Sequence, residues 1–207
     1  QRHVHVEDLR SWKQPDAVVG AWYNQIGNRD EISAKRVAWH LLLHDFNSSW
    51  YWTSFGTGPA LLFPDLRPAP QFQWMQESID EIKGGIGKLL LHAQRQHDKI
   101  AVYYSQPSVH ACTLMKRRHA AAQWGIARLV EDLQLQYQMI STEQVTRGEL
   151  GQYRVFLMPA CAAVGRAEAD AIQEFVRGGG TVVADTLPGI LDEHGRLLEK
   201  GQLDDLF

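Results

Sequence analysis

The stretch VVGAWYNQIG, Val18 to Gly27, runs from apolar residues into Trp22, Tyr23, Asn24 and Gln25 before a glycine. A buried strand that empties into a rim of aromatic and amide groups has this order, and such a rim can hold a ligand by ring contact and hydrogen bonding. It carries no carboxylate. The nearest are Asp30 and Glu31, which read as first-turn residues of the helix that follows, where the positive end of the helix dipole favours them.

Other residues of chemical interest are scattered. Cys112 and Cys161 lie far apart with no CxxC spacing, so they read as small buried hydrophobes and not as a disulfide or zinc pair. His3 and His5 alternate on a possible strand, and His40 and His44 stand one helical turn apart, a spacing that can bind metal. No Glu or further His completes either pair as in a HExxH motif, so no metal is expected. His194, in DEHGR, and Asp65, in FPDLRP, read as turn residues. The loop SQPSVH lacks the glycines that let backbone amides close on a phosphate, so Ser105 and Ser108 read as helix-cap or loop residues and no cofactor is expected.

Charge excludes some partners. Lys and Arg number 21 against 24 Asp and Glu, a net charge of −3, which gives no long-range attraction to nucleic acid or an anionic membrane. The one dense cationic patch, MKRRH at Met115 to His119, reads as the solvated face of a helix. No apolar run nears the roughly 20 residues that span a bilayer. The amino terminus has no signal-peptide pattern, so a cytoplasmic location is expected. The sequence starts at Gln1 and stops just after QLDDLF, as an excised piece of a longer chain would.

The elements that must position these groups alternate between strand and helix. Ala17 to Tyr23 is an apolar run of strand length; Ala34, Val37, Ala38, Leu41 and Leu42 then recur at helical spacing. WYWTSF at Trp50 to Phe55 has strand composition. After a proline- and glycine-rich loop, Met75, Ile79, Ile82, Ile86 and Leu89 mark one face of a second helix, interrupted by Gly84 and Gly85. Beyond the polar QRQHDK, KIAVYY, Leu135 to Ile140, YRVFLM and TVVA read as four strands. The helices between them include Ile126, Leu129, Val130 and Leu133, and then Ala169, Ile172, Phe175 and Val176, the latter closed by Gly178 to Gly180. Nearly continuous apolar strands alternating with amphipathic helices predict an α/β chain whose second half is a doubly wound parallel sheet. The boundary divides residues 1–97 from 98–207. Two strand-helix units in the first part resemble the tail of an eight-unit barrel, which needs about 250 residues.

The ordered segments SSWYWTSFG, LFPDLRPAP, ESIDEIKGGIGKLLLHAQRQHDKIAVYYSQPSVHA and VFLMPACAAVGRAEADAIQEFVRGGGTVVADTLPGILDEHGR resemble family 42 beta-galactosidases and related large glycoside hydrolases. There the last units of a (β/α)8 barrel run into a flavodoxin-like trimerisation domain, so the resemblance implies that 1–97 is the incomplete end of such a barrel and 98–207 that domain. It implies retaining hydrolysis with two carboxylates about 5 Å apart. The acid/base, at the end of the fourth barrel strand, would precede this chain. The nucleophilic Glu would end the seventh strand, where this sequence has Tyr23, Asn24 and Gln25; an amide cannot form a glycosyl ester. Catalytic residues are therefore expected outside the chain, with a non-catalytic sugar-binding or oligomerisation scaffold as the alternative.

Within that resemblance Trp52, Trp22, Tyr23 and Asn24 are the expected substrate-binding residues. Sugars present CH faces to indole rings, and Trp50 and Trp52 share one strand face while Tyr51 takes the other. The expected partners are a galactoside-like carbohydrate and further copies of the chain, as a trimer. The second half also resembles class I glutamine amidotransferases, whose nucleophilic Cys sits on a tight turn beside a His. The matching turn here offers Asp185, Thr186 and Leu187, and Cys161 follows a different strand, so no amidotransferase chemistry is expected.

Overall fold

The computed structural model describes residues 2–24, 30–55 and 60–207, with the backbone alone for residues 2–5, Asn24 and Trp52. The chain divides into two compact units, one of His5–Arg95 and one of Gln96–Phe207 together with residues 2–4.

The first unit begins with helix α1, Arg2–Ser11, so His3 and His5 lie on a helix and not on the strand their alternation suggested. Strand β1, Gly20–Asn24, is followed by helix α2, Glu31–Leu43, and strand β2, Ser48–Trp52. Asp30 starts α2 as its N-cap, with its carboxylate accepting the Ser33 N–H at 2.8 Å. Asn47 fixes the entry to the sheet: its Oδ1 accepts the Val19 N–H at 2.8 Å and its Nδ2 donates to the Ala17 carbonyl at 3.1 Å. The strands pair in parallel with Gly20 opposite Ser48, Trp22 opposite Trp50 and Asn24 opposite Trp52. Because side chains alternate along a strand, Ala21, Tyr23 and Tyr51 share one face. There they pack on Val37 and Leu41 of α2 and on Met75.

Helix α3, Pro70–Glu81, starts with Pro70, whose fixed φ suits a first turn. The continuous apolar stripe expected from Met75 to Leu89 breaks at a kink within Ile82–Ile86, where Gly85 takes a non-helical φ of +132°. The kink separates α3 from helix α4, Gly87–His92, and the stripe does not continue across it: Gly87 is buried, while Ile86 and Leu89 are exposed.

The second unit is a four-stranded parallel sheet of β3 (Ile100–Tyr104), β4 (Tyr137–Ser141), β5 (Val155–Met158) and β6 (Thr181–Ala184), in the order β4-β3-β5-β6. The two central strands, β3 and β5, are apolar because helices cover both of their faces, while β4 carries Gln138 and edge strand β6 leaves Val183 exposed. Val102, Met139 and Leu157 pack on Ala127 and Val130 of helix α6, His119–Asp132. Tyr103, Ile140, Phe156 and Met158 pack on Val145 of helix α7, Thr142–Thr146, and on Ala169, Ile172 and Phe175 of helix α8, Arg166–Arg177. Gly178 caps α8 and Gly179, at φ +92°, turns the chain back.

Two local expectations are corrected. SQPSVH is no loop but the start of helix α5, Gln106–Leu114, with Ser105 as its N-cap accepting the Ser108 N–H and Pro107 in the first turn. MKRRH is not a helix face. Met115 caps α5, Lys116 takes φ +54°, and Arg118 is the N-cap of α6, so the cationic residues form the turn between two helices.

Candidate functional site

Trp22 and Trp50 lie side by side on the β1–β2 face turned away from the helices, 63% and 50% exposed. Gly20 makes room for them: a β-carbon there would stand 2.7 Å from Cζ3 of Trp50. By strand register Asn24 and Trp52 belong to the same face, though their side chains, and Gln25 altogether, lie outside the described residues. Tyr23, expected on the rim, is on the other face. It is 6% exposed and its ring stacks on Tyr51 at 6.3 Å between centroids. The apolar run did not settle the parity of the strand; pairing with β2 does. Tyr51 accepts the Ser49 hydroxyl at 3.1 Å, and burial pushes its phenol above the ordinary value. The face thus offers indoles for ring contact and no described carboxylate. Asp30 is occupied as a cap, and Glu31 pairs with Lys35 at 2.7 Å.

Of the pair His40 and His44, His44 meets an acid, one that sequence spacing could not reveal. The His44 Nε2 is 3.3 Å from Oε1 of buried Glu7 in α1, an oxygen that also has Arg95 at 3.6 Å, while Oε2 takes Arg10 at 2.6 Å. Nδ1 of His44 meets the His40 carbonyl at 2.7 Å. Next to Glu7, Asp8 is buried, and desolvation, then repulsion by Glu7, pushes its carboxyl up to about 7. Among the described residues no group of three side chains could hold a metal ion. The cluster sits where α2 ends and β2 begins, at the amino end of β2.

In the second unit the serines are internally satisfied. Ser108 Oγ donates to the Ala163 carbonyl at 2.8 Å and accepts its N–H at 3.1 Å, leaving no role as phosphate ligands. Cys161 is fully buried with its thiol pushed far up by desolvation, which removes thiolate chemistry. Asp185, on the turn after β6, accepts the Ala160 N–H at 2.6 Å, and Ala160 holds φ +49°. Sequence separation concealed that Cys112, His119 and Asp185 line one small cavity. His194 lies in a turn closed by Asp192, whose Oδ1 accepts the N–H groups of His194 and Arg196.

Residues 113–207 match the family model of the beta-galactosidase trimerisation domain. No curated protein matches the chain. Among solved structures, a beta-galactosidase from the haloarchaeon Halorubrum lacusprofundi superposes with a TM-score of 0.79 at 19% identity, over 100% of this chain and 33% of that one. A catalytic mutant of a GH42 beta-galactosidase from G. stearothermophilus gives 0.73 at 19% identity, over 87% and 28%. A GH42 exo-carrageenase from Bacteroides ovatus gives 0.64 at 14% identity, over 97% and 28%. The chain therefore spans a third or less of the length of these structures, and they share its fold. No helix among the described residues is long and apolar enough to cross a membrane. The carboxyl-terminal part, residues 113–207, is thus similar to the beta-galactosidase trimerisation domain, and the chain shares the fold of a segment of glycoside hydrolase family 42 beta-galactosidases.

Proposed function

We propose that residues 1–97 are the last two strand-helix units of a glycosidase barrel and 98–207 its trimerisation domain, in a parent that hydrolyses a galactoside-like sugar with retention. The observation that carries this reading is the face of β1–β2 that bears Trp22 and Trp50, exposed and covered by no helix among the described residues. A strand pair with one face packed on helices and the other lined by aromatics is what a barrel wall presents to a ligand. Trp22, Trp52 and Asn24, on the inner face by register, contact the sugar; Tyr23 supports the wall from behind. The catalytic carboxylates are supplied outside this chain, the parent assembles as a trimer, and it works in the cytoplasm.

A second reading is favoured by one feature: from Gly20 to Arg29 there is no Asp or Glu, so the strand end that should deliver a nucleophile has none. On that reading the parent binds sugar or holds an assembly together without turnover. Assaying the intact parent on aryl galactosides separates the two. Turnover with retention, with KM raised about tenfold in Trp22→Ala for the loss of about 1.4 kcal/mol of contact, supports the enzyme. No turnover of any aryl glycoside, with sugar binding retained, supports the scaffold. A parent that sediments only as a monomer defeats the trimer.

A further inference from the structure

We propose that the cavity at the carboxyl ends of β3, β5 and β6 binds a small organic molecule through an oxyanion group, a carboxylate or a phosphate. The cavity measures about 180 Å³, and its wall includes Arg117, Arg118, His119, Asp185 and Thr186. Connections from β3 and β5 leave the sheet in opposite directions, toward β4 and β6, and the crevice opened at such a divergence is where open parallel sheets take ligands.

Its chemistry suits an anion. The cavity lies at the amino end of α6, a 14-residue helix, and its N-cap Arg118 makes no side-chain capping bond. The first N–H groups and the dipole therefore point a partial positive charge outward. Neither guanidinium has an ion-pair partner among the described residues. His119 is 6% exposed, its ring edge-on to Tyr104, and its Nε2 is buried with no hydrogen-bond partner among the described residues. An unpaired buried nitrogen is destabilising, and a ligand that bonds to it removes that cost.

Asp185 sets the remaining requirement. Its Oδ1 is held by the Ala160 N–H, while the second oxygen is an acceptor that a bare anion would not satisfy. A hydroxy acid or a monoprotonated phosphate satisfies it, giving oxygens to the guanidiniums and His119 and a hydroxyl to Asp185. Burial lowers the His119 imidazolium below its ordinary value, opposed by Asp185, and keeps the ring able to donate or accept. Burial also raises the Cys112 thiol, so binding involves no covalent step.

The test uses the 207-residue chain labelled with 15N-histidine, titrated with sodium phosphate and with sodium lactate at constant ionic strength. The His119 ring signal is assigned with His119→Asn. Saturable movement of that signal with either salt, together with a rise in the ring's pKa, supports the site, and the salt that saturates names the group. In R117A/R118A the half-saturating concentration is expected to rise at least tenfold; both arginines are exposed, and an unchanged amide spectrum checks the fold. A response no different from sodium chloride with both salts, or saturation unchanged in R117A/R118A, overturns the proposal.

Discussion

The indole of Trp50 lies across Gly20: a β-carbon at position 20 would stand 2.7 Å from Cζ3 and 2.9 Å from Cη2 of Trp50, and 3.0 Å from Cβ of Ser48. The glycine is thus a packing requirement of the aromatic face and not a flexible link. Gly20→Val is expected to destabilise the first unit by about 2 kcal/mol through overpacking, despite the better strand propensity of valine. Urea unfolding followed by tryptophan emission measures it; unchanged stability would mean that the ring moves aside at no cost.

Tyr103 and Glu168 form a buried hydrogen bond in the centre of the second unit, and Glu168 also accepts the Gly165 N–H at 2.7 Å as part of the first turn of α8. Tyr103→Phe removes one donor from a desolvated carboxylate, whose ionisation burial already opposes. The expected loss is about 1–3 kcal/mol. Tyr103→Phe combined with Glu168→Gln should cost less than the sum of the two, since the amide keeps an acceptor for Gly165 and needs less solvation. Additive losses in a double-mutant cycle would show that the pair is uncoupled.

Asp8 makes the first unit sensitive to pH. Its carboxyl is raised from 3.8 to about 7, first by desolvation and then by Glu7, so between those values the folded chain holds a proton that the unfolded chain has released. Stability is then highest below about pH 4 as far as this group is concerned, and it falls as pH rises toward 7, by at most about 1.4 kcal/mol per pH unit. Asp8→Asn should flatten the slope of the urea midpoint between pH 4 and 7. An identical slope in the variant would assign it to another group.

Two helix glycines are expected to respond to alanine in opposite directions. A β-carbon at Gly125 in α6 meets nothing within 4 Å, so Gly125→Ala should stabilise by about 0.5–1 kcal/mol through helix propensity alone. At Gly87, just after the kink, it would stand 2.7 Å from Cγ2 and 2.8 Å from the carbonyl oxygen of Ile82. Gly87→Ala should therefore lose stability, by about 1 kcal/mol, although propensity favours it. Thermal melts of the two variants against the parent chain decide both signs.

What the residues made legible follows from the range of the forces involved. The central strands β3 and β5 stand out because a sheet covered on both faces needs unbroken apolar runs there. Helix α8 stands out because Ala169, Ile172, Phe175 and Val176 keep a 3.6-residue period up to a glycine stop. Helix α5 is hidden, since its serine cap and early proline look like a loop until the Ser105–Ser108 bond is seen. Ile86 and Leu89 fit the period of α3 on paper, and the kink at Gly85 turns them to solvent. Trp22 and Tyr23 could not be assigned to faces before β1 had a partner. The groupings Glu7 with His44, and His119 with Asp185, bring together residues far apart in sequence, and no spacing rule reaches them.

The bond from the Ala160 N–H to Asp185 also has a consequence for redesign. The left-handed turn at Ala160 leaves an amide directed at the first residue after β6, and the native carboxylate consumes it. Replacing Asp185 by a small side chain without an acceptor would release that amide into a crevice that already contains a buried imidazole, at a point where the parallel sheet holds the backbone rigidly. A designer seeking to build acyl-transfer chemistry on an oligomerisation module would find one electrophile-stabilising donor already in place, needing only to be unmasked.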